Sequence, residues 1–223
     1  MELFFKRLLI KINTKRKQQM TTTQETNNTV QFAHTIYAEM TPNPVAMKFV
    51  LNSLLVKEAG KSVEFRTREK AEASALAKKL FAFPYVKGVF ITSNFVTVTR
   101  DESIEWYEVI PELKELIKLH VASGEEIFSE EMITEVDSEI APETVSGDID
   151  KQIMDLLDEH IRPAVEGDGG TIHFKSFING KVTLVLKGAC NGCPSTKTTL
   201  KQGVENLLRR MLPEVQEVIA ETA

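Results

Sequence analysis

The chain has 223 residues, of which 42% are hydrophobic and 26% charged, a composition typical of one large globular domain or two small ones. Its formal net charge of −5 argues against a nucleic-acid-binding protein, because such a protein needs a basic face to displace counterions from phosphates. No apolar run approaches the roughly 18 residues of a transmembrane helix, so we expect no stable membrane association. The only two cysteines, Cys190 and Cys193, exclude a disulfide-stapled secreted scaffold.

Charge is distributed unevenly along the chain. Residues 122–148 carry nine acidic residues and no basic ones, whereas the segments on either side are nearly balanced. This pattern predicts an α+β protein of two small α+β domains, 29–121 and 149–223, joined by an acidic flexible linker over 122–148. We interpret the linker as a solvated spacer. The alternative, which is more specific, is that its acidic residues dock onto a basic partner.

The N-terminal extension, residues 1–28, is left out of the fold prediction as disordered, spurious or a targeting segment. Residues 1–19 carry six basic residues and one acidic residue, and their apolar side chains line one face of a helix. A mitochondrial transit peptide has this pattern but is usually rich in Ser, which 1–19 lacks, and a membrane-surface anchor is the second alternative. The third is that Met20 is the true start, which we prefer. We therefore expect a cytoplasmic protein, or a mitochondrial-matrix protein if residues 1–28 are a transit peptide.

The first block predicts two helices on one face of an antiparallel sheet. A strand over Val30–Tyr37 ends at the rigid turn Thr41-Pro42-Asn43-Pro44. The segment Ala46–Val56 fits either a strand or a helix. Nothing here has reactive spacing, and we expect Trp106 to pack rather than to bind a ligand. The remaining predicted elements are a helix over Thr67–Ala82, a hairpin of Val86–Ile91 and Phe95–Thr99, and a helix over Ile104–Val121.

The second block predicts a helix capped by Asp148 or Ser146 that ends before Arg162-Pro163. A flexible turn at Gly167–Gly170 leads into a strand, and Asn179-Gly180 is the preferred two-residue hairpin turn. The elements predicted after this turn complete a three-stranded sheet: a return strand Lys181–Lys187, a helix Ser195–Met211 and a short strand Val215–Ile219.

The two cysteines fall on an exposed loop between a strand end and a helix start. Pro194 suits the first helical turn, and the amides of that turn carry partial positive charge that stabilises thiolates. Gly188 and Gly192 leave room beside the sulfurs. Three interpretations remain at this point: a structural thiol pair, a dithiol–disulfide redox pair, or half of a metal site.

The metal interpretation depends on the number of ligands. Iron–sulfur clusters and structural zinc normally take four protein ligands, whereas this chain offers two thiols. His173, expected to face solvent, and His160, expected at a helix end, lack ligand spacing and are interpreted as structural. Two copies of the loop facing each other across a two-fold axis would supply four thiolates to a 4Fe–4S cluster or to zinc. Such a half-exposed site would be labile, as a delivery protein requires.

The motifs resemble those of the NifU-like (Nfu) iron–sulfur cluster scaffold proteins. Residues 31–121 resemble the Nfu N-terminal domain through Thr41-Pro42-Asn43-Pro44 with Lys48-Phe49, Leu76-Ala77-x-x-Leu80-Phe81 and Gly88-Val89-Phe90. Residues 149–219 resemble the C-terminal domain through Arg162-Pro163-x-Val165, Asp168-Gly169-Gly170, Gly188-Ala189-Cys190-x-Gly192-Cys193-Pro194 and Thr199-Leu200-x-x-Gly203. Two departures are Thr171, where the family commonly has an acidic residue, and Val45, which replaces a frequent Asn.

The resemblance implies a scaffold or carrier that is not an enzyme. It would bind a 4Fe–4S cluster between two subunits through Cys190 and Cys193, with a 2Fe–2S form also compatible. Its partners would be a second copy in the cluster-bound homodimer, upstream cluster-assembly proteins, and the apo iron–sulfur client proteins that receive the cluster. The N-terminal domain would recognise the clients. The alternatives are a dithiol–disulfide oxidoreductase and a zinc-bridged interaction module.

Overall fold

Alternating apolar residues along five segments of the first block produce a five-stranded antiparallel sheet. The computed structural model describes residues 34–57, 61–128, 147–190 and 194–222, without the side chains of 194–197. The undecided segment at Ala46 is a strand, and the predicted hairpin is confirmed. The sheet has the order β1-β2-β5-β4-β3 and consists of β1 Ile36–Met40, β2 Ala46–Leu51, β3 Ser62–Phe65, β4 Val86–Thr92 and β5 Phe95–Arg100.

Three helices accompany this sheet. The single helix predicted over 67–82 is in fact two short ones, α1 Arg68–Ala71 and α2 Ala75–Leu80. Ser74 divides them, because its hydroxyl accepts a hydrogen bond from the amide of Ala77 and so begins a second helix. The predicted long helix is confirmed as α3, Trp106–Ser123. Trp106 packs against the core as expected, and its indole nitrogen also donates to Pro44 O at 2.9 Å.

The two faces of the five-stranded sheet differ in chemistry because side chains alternate along each strand. The inner face carries the apolar core shared with α2 and α3. The other face carries polar and aromatic residues, among them Lys48, Ser62, Glu64, Phe90 and Thr97. We call this set the outer face.

The residues that follow α3 lie against the first block. Gly124 ends the helix in the left-handed conformation, with φ of 69°. Ser74 Oγ then donates to Ile127 O at 2.7 Å, and the Phe128 ring stacks on Phe65. Within the predicted linker, Ala122 and Ser123 belong to α3, and Ile127 and Phe128 pack against the first core. Residues 129–146 fall outside the described residues, so the flexible linker remains a prediction.

The second block begins with a longer helical segment than expected. It consists of α4 Asp148–Leu156, a π-helical turn Leu157–Ile161 and α5 Arg162–Gly167. The prediction that Arg162-Pro163 ends the helix was wrong: proline lies in the first turn of α5, where its missing amide removes no hydrogen bond. The N-cap is Gly147, without a side-chain cap, rather than Asp148; Ser146 lies outside the described residues.

The predicted three-stranded sheet and its hairpin are confirmed. Asn179 and Gly180 have φ of 51° and 78°, as the predicted turn requires. The sheet runs β6-β7-β8, with β6 and β7 antiparallel and β7 and β8 parallel. The helix α6, Pro194–Met211, makes the crossover between the parallel strands β7 Lys181–Gly188 and β8 Glu217–Thr222, and β6 is Gly170–Ile178.

The arrangement of helices beside two sheets confirms the predicted α+β class. A second apolar core lies between the three-stranded sheet and its helices, and includes Ile153, Leu184 and Leu208. Within the described residues, the structure contains no helix with the length and apolar character needed to cross a membrane.

Candidate metal centre

Cys190 lies two residues after the end of β7 and four residues before α6 begins. Its side chain is part of the second core, and the residue is only 1% exposed. The expectation of an exposed loop was therefore wrong for Cys190. Cys193 lies outside the described residues, so its role as a ligand remains a prediction from the sequence.

Two glycines shape the surroundings of the Cys190 sulfur. A Cβ atom on Gly170 would lie 2.8 Å from Cys190 Sγ, so the sulfur rests directly against the Gly170 backbone. Gly188 has φ of 72°, and a Cβ there would lie 2.7 Å from Gly169 O. Larger residues at either position would displace the cysteine backbone, which explains why the sequence has glycine at both.

A cavity of about 310 Å³ adjoins Cys190. Val165 and Leu200 line it from α5 and α6, and Asp168 also contributes to its lining. Pro42, from the Thr41–Pro44 turn of the first block, also lines this cavity. The space beside the thiol is thus bounded by both domain-sized blocks.

The first block also contacts the cysteine loop directly. Asn43 Nδ2 donates to Ala189 O at 3.0 Å, in a buried hydrogen bond to the residue that precedes Cys190. Sequence reasoning assigned this Asn only to a rigid turn. The one available signal was the family motif containing it, because no local pattern indicates a partner 146 residues away.

His173 does not face solvent, which corrects the prediction. It is 8% exposed, and its Nε2 lies 3.1 Å from Ser62 Oγ on the outer face. Burial, together with the nearby positive charges of Lys187 and Arg162, lowers the His173 pKa to about 3. The imidazole is therefore neutral at pH 7 and serves the contact between the two sheets.

The other candidate histidine, His160, lies exposed in the π-helical turn, 3.9 Å from a Glu159 carboxylate oxygen. Among the described residues, no three His, Cys, Asp or Glu side chains are grouped so as to hold a metal ion. Any cluster or ion at Cys190 thus needs ligands from Cys193 or from another molecule.

The loop is chemically suited to anionic sulfur ligands. The helix α6 begins at Pro194, and its unpaired first-turn amides give this end a partial positive charge. A thiolate close to such an end is stabilised relative to the thiol.

Comparison with known proteins gives matches to both blocks. Residues 36–124 match the family model described as "Scaffold protein Nfu/NifU N terminal", and residues 153–219 match the "NifU-like domain". Among solved structures, a NifU-like protein from Saccharomyces cerevisiae is 25% identical, with a TM-score of 0.42, over 49% of this chain and 97% of that one.

The chain also resembles named individual proteins over 186 residues. It is 40% identical over 186 residues to a Drosophila persimilis protein named "NFU1 iron-sulfur cluster scaffold homolog, mitochondrial", covering 82% of this chain and 64% of the relative. The same name and identity apply to a Drosophila willistoni protein, of which 62% is covered. The chain thus spans less than two thirds of the length of these relatives. Because both of its domain-sized blocks match the two domains of one scaffold family, the chain belongs to the Nfu/NifU family.

Proposed function

We propose that this protein carries a 4Fe–4S cluster as cargo between two copies of the chain and transfers it to apo-proteins. The observation that carries the proposal is the Cys190 sulfur held against a glycine backbone at the junction of β7 and α6. The only other cysteine of the chain follows three residues later in the sequence, a spacing that allows two thiols to bind one metal centre. The names of the relatives support the choice of an iron–sulfur cluster as cargo.

The number of ligands supports a shared site. One chain supplies Cys190 and Cys193, whereas a 4Fe–4S cluster takes about four thiolates. Among the described residues no further group of His, Asp or Glu could complete the set. A second copy related by a two-fold axis supplies the missing pair and leaves the cluster at the edge of both subunits.

Delivery then requires only ligand exchange. Each client thiol loses its proton and binds a cluster iron as a thiolate, while a carrier thiolate leaves that iron and takes up a proton. Charge and redox state are unchanged, so no catalytic acid, base or oxidant is needed. A carrier with two ligands from each subunit releases its cargo more readily than a closed four-ligand site within one chain.

The clients are apo-proteins with thiol ligands, and the upstream partners are proteins that assemble clusters. The first block would contribute client recognition and raise the local concentration of the carrier at its target. The names of the relatives and the basic amphipathic residues 1–19 support delivery in mitochondria. Fusing residues 1–28 to a fluorescent protein tests this location, and diffuse cytoplasmic fluorescence would contradict it.

Anaerobic reconstitution with iron and sulfide tests the proposed cargo. We expect a brown dimer with broad absorption near roughly 400 nm and about four iron and four sulfide per dimer. Cys190→Ser and Cys193→Ser should each abolish the absorption and the dimer. His160→Ala is the matched control: it removes an exposed potential ligand and should leave iron content unchanged.

The same preparation distinguishes the alternatives. A colourless dimer with zinc and no sulfide would indicate a zinc-bridged interaction module. A metal-free monomer that reduces disulfides would indicate a dithiol oxidoreductase. A monomer holding a complete cluster would contradict the sharing of the site between subunits.

A further inference from the structure

The outer face of the five-stranded sheet lies on the segment that leads into β6. Thr97 Oγ1 donates to Gly169 O at 2.7 Å, and Lys48 Nζ donates to Gly167 O at 3.3 Å. Gly169 O also accepts the amide of Ala189, at 3.1 Å. The same carbonyl therefore ties the outer face and the cysteine loop together.

The first block also contacts Gly188 and Ala189, the two residues before Cys190. Glu64 Oε1 accepts the amide of Gly188 at 3.2 Å, and a Cβ on Gly188 would lie 2.8 Å from the Phe90 ring. Asn43 holds the carbonyl of Ala189, as described above. The first block thus contacts the backbone of the two residues immediately before Cys190.

The polar groups buried between the two blocks are hydrogen-bonded to one another across the interface. Thr97 is 1% exposed, and Ser62 and Asn43 are also buried, although all three are polar. Each makes a hydrogen bond to the second block. Buried polar groups that are all paired fix one relative position of two surfaces, because any other position would leave them without partners.

The interface occupies space that a shared cluster needs. A second copy must bring its own cysteine loop up to Cys190, across the width of a single cluster. Pro42 lies in the cavity beside Cys190, and Asn43 covers the carbonyl next to it. The outer face and a second copy therefore cannot both be seated at this loop.

We propose that the first block is an intramolecular cap on the cysteine loop, and that a second copy of the chain competes with it for the same place. In the apo chain the cap excludes other molecules from Cys190. Cluster loading requires the outer face to leave, so the closed contact limits the loading rate. This inference rests on the proposed function for its loading step, whereas the closed contact can be tested without any cluster.

Thiol labelling measures the closed contact. In a Cys193→Ser background, only Cys190 can react with a bulky maleimide. Thr97→Asp replaces the hydroxyl donor with a carboxylate that can only accept, so it faces Gly169 O without a hydrogen bond, and burying that charge favours the open chain even with Lys48 on the neighbouring strand. We expect Cys190 to label at least about tenfold faster, since a cost above about 1.4 kcal/mol shifts the equilibrium that far.

Thr99→Asp is the matched control. Thr99 lies two residues further along β5 on the same side of the sheet, paired with Ala46 and Gly88, and is only partly buried. The same charge there should leave the labelling rate at the wild-type value. Ser62→Lys is a second opening variant, because it places a cation beside His173, Lys187 and Arg162 and so repels the second block from another strand.

Loading rates with the cysteines intact complete the test. Faster labelling and faster cluster uptake in the opening variants, with Thr99→Asp unchanged, would support the cap. Equal labelling in all folded variants would overturn the cap and leave the proposed function intact if cluster is taken up. Faster labelling with equal uptake rates would also overturn it, because release would not limit loading. Absence of cluster in every variant would overturn the proposed function, while a labelling difference would still support the closed contact.

Discussion

The two faces of the five-stranded sheet are both buried, but by different chemistry. The inner face packs apolar side chains such as Phe49, Val98 and Leu113 against one another. The outer face meets the second block through the hydroxyls of Ser62 and Thr97 and other polar groups. A single sheet thus carries one surface typical of a core and one typical of an interface between domains.

This difference predicts which contact can open. Exposing the inner face would place a large apolar area in water, at roughly 25 cal/mol for each Å². Separating the outer face mainly exchanges protein hydrogen bonds for hydrogen bonds to water, and each such exchange changes the free energy by only about 1 kcal/mol. The inner face therefore holds the first block together, whereas the outer face can release the second.

Truncating the inner face should have the largest effect on stability. Leu113 in α3 is 0% exposed, so Leu113→Ala removes buried methyl groups and leaves a cavity. We expect the free energy of unfolding of the first block to fall by about 2–5 kcal/mol in denaturant titrations. A fall below about 1 kcal/mol would mean that this face is not a closely packed core.

Crowding Gly188, which lies against the outer face at the end of β7, should have the next largest effect. In Gly188→Ala the new Cβ would meet Gly169 O and the Phe90 ring. The positive φ of this residue costs alanine a further ~1–2 kcal/mol. We expect a loss of about 2–3 kcal/mol in unfolding free energy together with faster labelling of Cys190. We expect both effects because Gly169 O, which accepts hydrogen bonds from Thr97 and Ala189, cannot move away from the new Cβ.

Gly203→Ala provides the comparison for that substitution. Gly203 lies in α6, and a Cβ there would meet nothing within 4 Å. The same change should raise the unfolding free energy by up to about 1 kcal/mol, since alanine is the better helix former. If the two variants changed stability alike, the crowding at Gly188 would be refuted.

The sequence predicts correctly those elements whose signals lie entirely within the element itself. The hairpin turn at Asn179-Gly180 and the inward Val182, Leu184 and Leu186 were predicted because turn chemistry and period-two alternation are both local. The helix division at Ser74 was missed because the hydroxyl competes with apolar periodicity that continues across it.

The site was predicted less completely than the fold. The position of Cys190 between β7 and α6 follows from the strand and helix patterns. Its burial does not, because alternation shows which side of a strand is polar but not what covers that side. His173 was assigned to solvent for the same reason, although Ser62 of the other sheet lies against it. Contacts between blocks are non-local and leave no periodic signal.

The His173–Ser62 contact makes the outer face sensitive to acid, with a smaller effect than Leu113→Ala or Gly188→Ala. The pKa of His173 is about 3 in the folded protein, whereas its ordinary value is 6.5. Well above pH 6.5 the imidazole is neutral in both states and adds no pH dependence. Below that pH the unfolded chain binds a proton that the folded chain does not, so the unfolding free energy falls, by up to about 1.4 kcal/mol per pH unit.

His173→Gln isolates this contribution. Glutamine can still hydrogen-bond to Ser62 but cannot be protonated, so the variant should lose less stability than the wild type between pH 7 and pH 5, by about 1–2 kcal/mol. Groups that titrate elsewhere, including the His120 imidazole of the first block, are present in both proteins and cancel in the difference. The cations that face His173 are Lys187 and Arg162, and their positive charges oppose protonation of the imidazole. Identical pH profiles for the two proteins would show that His173 is protonated as easily in the folded chain as in water, and hence that the outer face does not exclude solvent from it.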